Sequence, residues 1–278
     1  MDRILDIVGR AMITAGLLLL SFVGYQLWGT GIAEGRAQSQ LQSQFRSQAP
    51  AVPRYGGVVG RLRIPKIGVD KYIVAGTSYE ALERGPGLFV GSPLPGQLGN
   101  VAIAGHRTTY GAPFARIDEL RAGDEITIET RRGTYTYLTT SAPRIVDATD
   151  VKVVRTTDKE HAVLTLLSCH PKWTSKNRIV VVADLESTAP PEPATLFSPA
   201  ATSDLLKETV TAGWFHDPSA WPAVLALAAA LSSIAAARSF AARRTGRRVA
   251  SWVVAAVLFV PVLWLFFGQV TRLLPSNI

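Results

Sequence analysis

Three residue types, taken in chain order, could together carry out nucleophilic acyl transfer: a histidine, a cysteine and an arginine. Cys169 is the sole cysteine among 278 residues. It follows the run Leu164-Thr165-Leu166-Leu167-Ser168 and precedes His170-Pro171, so a strand reads as ending at its sulfur. His106 holds the analogous place after Val101-Ala102-Ile103-Ala104-Gly105, where glycine permits close backbone approach. Arg178 opens the next apolar run. A thiolate attacks an acyl carbon, an imidazolium protonates the departing amine, and a guanidinium stabilises the oxyanion between the two steps. Each residue also has a plainer reading. A strand-end cysteine is commonly a small buried hydrophobe, a histidine after glycine a loop residue, and an arginine at a strand start an edge guard. His170, beside the sulfur, is the rival proton carrier, but neighbours in an extended chain point to opposite faces.

The elements that must position these residues are strands. From about 54 to 185 the chain alternates short apolar runs with Gly, Pro and Asp punctuation, as an all-β domain does. Strands are expected at 58–64, 72–75, 99–105, 125–130, 133–142, 162–168 and 178–185, with a hairpin turn at Thr130-Arg131-Arg132-Gly133. The runs before Gly105, before Ser168 and after Arg178 are apolar without alternation. Such runs suit central strands of a closed barrel. Short helices are expected at 78–84, capped by Ser78, and at 113–120. There is no internal repeat, no Gly-rich phosphate loop and no cluster with metal-ligand spacing, so neither metal nor cofactor is expected.

Hydrophobicity is concentrated elsewhere. The mean hydropathy of +0.19 reflects charge-free runs at 11–33, 218–237 and 249–271, each long enough to cross a bilayer core of about 30 Å. The middle run is Ala-rich and could instead be a buried soluble helix, and the first could be a cleaved signal peptide, although no clean small-residue cleavage site follows it. Arg238, Arg243, Arg244, Arg247 and Arg248, without an acidic neighbour, place the loop between the last two runs in the cytoplasm. The β domain then lies outside. The expected organisation is a cytoplasmic N-terminus and signal anchor at 1–36, a stalk at 37–56, the β domain at 57–186 and a linker at 187–217. A helical hairpin at 218–271 and a tail at 272–278 complete it. The stalk is Gln/Ser-rich and reads as helical or disordered; 204–214 reads as a juxtamembrane helix. The net charge of +8 includes these five arginines, whose natural partner is anionic lipid rather than nucleic acid. With one cysteine no internal disulfide can form, and an unpaired thiol outside the cytoplasm calls for a use.

The blocks Gly105-His106-Arg107-Thr108-Thr109-Tyr110-Gly111, Thr165-Leu166-Leu167-Ser168-Cys169 and Arg178-Ile179-Val180-Val181 resemble, in order, the three signature segments of the sortase family. Leu62-Arg63-Ile64-Pro65-Lys66-Ile67 is similar to that family's opening strand, so the likeness covers about 60–184. Ser168 stands where the family usually has threonine, which keeps a hydroxyl. The His106 block and Cys169-His170-Pro171-Lys172 most resemble class E sortases of Gram-positive organisms. The two C-terminal runs depart from that pattern.

The resemblance implies a closed sortase-type β-barrel of about eight strands with short helices, and transmembrane helices at both ends. It implies a membrane-bound, multi-pass cysteine transpeptidase with an extracellular catalytic domain. Cys169 would be the nucleophile, His106 the acid and Arg178 the oxyanion donor. The partners would be secreted proteins bearing a C-terminal Leu-Ala-x-Thr-Gly or Leu-Pro-x-Thr-Gly signal, and an amine acceptor, from a peptidoglycan precursor or a pilin. Tyr110 is associated with preference for Ala over Pro in the signal, and Thr108, Ser168 and His170 are candidate substrate contacts. Thr108 and Ser168 could equally satisfy backbone. An L,D-transpeptidase places its arginine two residues past the cysteine, where this chain has Pro171. A pilin-polymerising enzyme often has an Asp-Pro-aromatic lid, absent between 37 and 60. A non-catalytic membrane scaffold would need none of the three residues.

Overall fold

In strand β1 (Val58–Ile64), Val58, Gly60, Leu62 and Ile64 are buried while Arg61 and Arg63 are not, the period of two that puts one strand face into a core. That core belongs to a computed structural model describing residues 2–47, 49, 52–186, 193, 195, 197, 218–245 and 248–273. The remaining strands are β2 (Val69–Ala75), β3 (Gly87–Leu88), β4 (Gly99–Ala104), β5 (Glu125–Glu129), β6 (Thr134–Thr139), β7 (Arg144–Asp147), β8 (Ala162–His170) and β9 (Asn177–Glu186). They form one sheet in the order β6-β5-β1-β2-β3-β4-β8-β9-β7, and an added β6–β9 pairing closes eight of them into a barrel. The expected architecture is therefore the one that forms.

Closure works because β9 is long enough for two partners on one side. Its first residues pair with β7 and its last with β6, while its other edge pairs with β8 from Asn177 to Asp184. The interior is filled by Leu62, Ile103, Ile128, Leu166, Val181 and Phe114, among others, all essentially inaccessible. Tyr137 is fully buried too, and its hydroxyl accepts a hydrogen bond from Gly96 N at 2.8 Å, which removes the cost of an unsatisfied phenol.

Several boundaries move from their sequence positions. β3 is two residues long and β7 is largely exposed, so neither shows inward apolar alternation. β8 does not stop at the sulfur but carries Cys169 and His170, the latter paired with Asn177, and ends just before Pro171. The Ser78 cap is present, its Oγ accepting from Ala81 N ahead of α3 (Tyr79–Leu82). Within 113–120 only a 3₁₀ turn, Ile117–Glu119, forms. The juxtamembrane helix expected at 204–214 lies outside the described residues.

The chain divides into two units. One contains α1 (Asp2–Gly24), α4 (Trp221–Thr245) and α5 (Arg248–Leu273), and the other contains the barrel and α2 (Thr30–Ser47). Among the described residues three helical stretches are long and apolar enough to cross a membrane: Ile4–Ser47, Trp221–Phe240 and Trp252–Leu273. In the first unit Phe22 meets Phe267 edge-on at 5.3 Å and Tyr25 meets Trp264 at 5.0 Å. α2 takes up much of the Gln/Ser-rich segment and lies on the barrel. Leu41 and Phe45, one turn apart, are buried with Val58, Val74 and Ala81. One turn earlier, the Gln38 amide accepts from Tyr72 N at 2.7 Å and donates to Tyr72 O at 3.0 Å and Arg84 O at 2.8 Å.

This packing makes α2 part of the folded unit. Leu41→Ala should lower the barrel's stability by about 2–5 kcal/mol in denaturation of the detergent-solubilised chain followed by β-sheet circular dichroism. Ser43→Ala, on the exposed face of the same helix, should change it by less than about 0.5 kcal/mol. Equal behaviour of the two variants would mean that α2 does not share the barrel's unfolding.

Candidate active site

β4 and β8 run parallel, and their last paired residues are Ala104 and Leu167. The pairing continues one step further: Gly105 N donates to Leu167 O at 3.1 Å, and Ser168 Oγ donates to Gly105 O at 2.7 Å. His106, two residues past the end of β4, and Cys169, within β8, come next. On the far side of β8, Arg178 of β9 is the antiparallel partner of Cys169. Three adjacent strands thus deliver the three sequence-predicted residues to one level of the barrel. A side chain at Gly105 would bring a Cβ within 2.7 Å of the Phe114 ring, so close packing of the turn after β4 requires glycine there. Phe114 N in turn donates to His106 O at 3.1 Å.

Cys169 and His106 are each only 3% exposed. Burial pushes the Cys169 thiol above its ordinary range, and the positive charges of Arg178 and Arg107 pull in the opposite direction without cancelling it. The Arg178 guanidinium is steadied by the β8–β9 loop, Nη1 donating to Ser175 O at 2.9 Å and Asn177 O at 3.2 Å. Two hydrogen bonds of five possible leave donors for an oxyanion.

Arg107, next to His106, is central to the site's hydrogen bonding. It is 4% exposed; Nη1 donates to Cys169 O at 3.2 Å and to His170 Nδ1 at 3.0 Å, and Nη2 lies 2.8 Å from Asp118 Oδ1. A guanidinium has no acceptor, so in this contact Arg107 is the donor and His170 Nδ1 the acceptor, which ties His170 to Arg107. Partial burial raises the Asp118 carboxyl, but its backbone hydrogen bond and Arg107 outweigh this and hold it below the usual range. Arg107 is the one permanently charged side chain in a motif otherwise made of His, Gly, Thr and Tyr, and that charge is its signal in the sequence.

The other candidates separate. The Ser168 hydroxyl is committed to Gly105 O, so it fastens β8 to the turn after β4. Thr108 is half-buried on the loop beyond His106. Tyr110 is 5% exposed, its ring 5.1 Å from that of His106, and its hydroxyl donates to Glu83 at 2.6 Å and shares a 3.0 Å hydrogen bond with Tyr79. Burial first, then the Tyr79 and Glu83 neighbours, keep that phenol protonated far above its ordinary range. His161 pairs with Asp158 at 2.6 Å on the surface, and His216 lies outside the described residues. Among the described residues no three His, Cys, Asp or Glu side chains converge as a metal ion would require.

The Sortase domain model matches residues 62–186, the span of the barrel from β1 to β9. Sortase SrtE1 of Streptomyces coelicolor is 33% identical over 194 residues, a match covering 63% of this chain and 55% of that protein. Sortase SrtE2 of the same organism is 30% identical over 209 residues, covering 66% of this chain and 82% of the relative. The chain thus spans about half the length of the first relative and most of the second. Among solved structures, a Clostridium perfringens Sortase D5 transpeptidase aligns with 26% identity and a TM-score of 0.48, covering 56% of this chain and 99% of that one. With 82% of SrtE2 matched at this identity, and the Sortase domain laid over the barrel that brings His106, Cys169 and Arg178 to one level, the chain belongs to the sortase family.

Proposed function

We propose that this chain is a membrane-anchored cysteine transpeptidase that cuts a C-terminal sorting signal of the Leu-Ala-x-Thr-Gly or Leu-Pro-x-Thr-Gly kind between Thr and Gly. The observation that supports this most is the convergence of His106, Cys169 and Arg178 on the ends of three neighbouring strands.

The thiol gives its proton to His106, and the thiolate adds to the threonine carbonyl carbon. Negative charge then collects on the carbonyl oxygen, where the remaining Arg178 N–H donors stabilise it. His106, as imidazolium, protonates the glycine nitrogen as the C–N bond breaks, leaving a thioester on Cys169. An incoming amine attacks that carbonyl, passes its proton to His106, and expels the thiolate. An acceptor on a peptidoglycan precursor fits an enzyme held at the outer membrane face, and a pilin amine is the alternative. Three candidate spans among the described residues, read with the arginines of 238–248 on the cytoplasmic side, support a barrel on the outer face.

Burial holds back the thiolate while two guanidinium groups favour it, and this balance sets the pH dependence. Because the thiol is raised, alkylation of Cys169 in the purified chain should remain slow at neutral pH and accelerate only above the ordinary thiol pKa of about 8.5. Arg178→Met or Arg107→Met removes a positive charge and should move the profile to still higher pH. A profile centred below that of a free thiol, or one unmoved in both variants, would contradict this account of the site.

The function itself is tested by mass spectrometry of the purified full chain, wild type and Cys169→Ala, with Leu-Ala-x-Thr-Gly and Leu-Pro-x-Thr-Gly peptides and a glycine amine donor. Wild type should release the segment after Thr and form the ligated product, Cys169→Ala should do neither, and Arg178→Ala should lose about 10²- to 10³-fold in kcat/KM. Cleavage that survives Cys169→Ala, or no cleavage of either peptide by wild type, would overturn the proposal.

A further inference from the structure

The loop after His106 has three consecutive residues in the left-handed region, Tyr110, Gly111 and Ala112, at φ of 49°, 71° and 42°. Only one of them is glycine, and such a run persists only where its surroundings fix it. The surroundings come from outside the barrel. Thr30, the first residue of α2, donates its hydroxyl to Gln26 O at 2.8 Å and with the same oxygen accepts from Tyr110 N at 3.1 Å. One turn on, the Glu34 carboxylate faces Gly111 so closely that a Cβ there would lie 2.6 Å from Oε2. Glu34 is 2% exposed and is held by the Lys71 ammonium of β2 at 2.7 and 2.8 Å.

We propose that Thr30 and Glu34 are positioning residues for the catalytic histidine: the first turns of α2 set the conformation of residues 110–112, and Tyr110 transmits it to His106. This rests on the reading of His106 as the proton-transferring group. Docking alone does not account for Glu34, because Leu41 and Phe45 already seat the helix two and three turns further along. A buried ion pair contributes little to stability compared with apolar packing of similar volume, and its better attested use is to specify one arrangement among several. Burial raises the Glu34 carboxyl and Lys71 opposes the rise, so the pair is costly to hold against the loop. Tyr110 has the right contacts for a transmitter. Its backbone is fixed by Thr30, its hydroxyl by Glu83 and Tyr79, and its ring packs on the His106 imidazole.

The test uses the full chain in detergent, labelled with ¹³C in histidine rings. The sequence has four histidines, and His106→Gln identifies the His106 resonance by its disappearance. Thr30→Val, Glu34→Gln and the control Leu41→Ala are compared for that resonance, for kcat and KM on the cleaved peptide, and for melting temperature. Thr30→Val and Glu34→Gln should shift the His106 resonance and lower kcat by about 10- to 100-fold, the scale expected when a reacting group is misplaced by about an ångström. Thr30→Ser, which keeps the hydroxyl, should restore both, and Leu41→Ala should lower the melting temperature with the resonance unmoved. If Thr30→Val and Glu34→Gln melt early but keep the wild-type resonance and kcat, the contact is packing alone and the inference fails. Should Glu34→Gln not fold, Thr30→Val, which removes one hydroxyl, decides between these outcomes. Because the resonance is read without substrate, a wild type that cleaves neither peptide would overturn the proposed function and leave the positioning result standing or falling by itself.

Discussion

Hydrogen bonding between β4 and β8, parallel and in register from Gly99 opposite Ala162 to Ala104 opposite Leu167, sets the level at which both strands leave the barrel. The side-chain period of a strand is two, so a slip of one residue would turn Cys169 to the opposite face and leave His106 beside the wrong neighbour. The antiparallel pairing of β8 with β9 adds the same constraint for Arg178. A parallel pair cannot be closed by a tight turn, and the connection from β4 to β8 carries β5, β6 and β7. The site therefore exists only after most of the barrel has assembled. Gly105 and Ser168 extend the lock one residue past the last ladder pair, which explains why a hydroxyl matters at 168 even though it is turned toward backbone.

Within that frame the electrostatics are a competition. Removing the thiol from water disfavours the thiolate, and two buried or half-buried guanidinium groups favour it. They are not duplicates. Arg178 spends only Nη1 on the β8–β9 loop, whereas Arg107 commits donors to Cys169 O, His170 and Asp118, and so ties down the backbone at Cys169. An exposed cysteine would need less help from cations, but it would also be open to side reactions with water and oxidants.

The central strands were legible because a run such as Val-Leu-Thr-Leu-Leu, buried on both faces, has few other places to go. Strands whose identity comes from their partners were not. β3 is two residues that fill the gap between β2 and β4, and β7 is an exposed edge that borrows its register from β9. That Cys169, His106 and Arg178 come to one level of the barrel was legible in their order and flanks, since each stands at an end of an apolar run. Arg107 stood out only as a charge, and Thr30 and Glu34 not at all, because Cys169 and His170 lie 62 and 63 residues from Arg107, Tyr110 lies 80 from Thr30 and Lys71 lies 37 from Glu34, joined only by the folded topology.

α2 is the instructive case. Thr30, Glu34, Gln38, Leu41 and Phe45 recur at spacings of four, four, three and four, the single-face pattern of a helix. Hydrophobic periodicity alone overlooks it because only two of the five are apolar. The three polar members each meet a group of the opposite kind: Thr30 the Tyr110 N–H, Glu34 the Lys71 ammonium, Gln38 both backbone groups of Tyr72. A helix face can thus be buried by satisfying its polar groups rather than by removing apolar area from water, at the cost that every partner must be in place. That cost is also its specificity. A greasy face would tolerate a shift of the helix along the barrel, but this one has hydrogen-bonded partners only in a single register, and that register brings Thr30 and Glu34 to the loop beside His106.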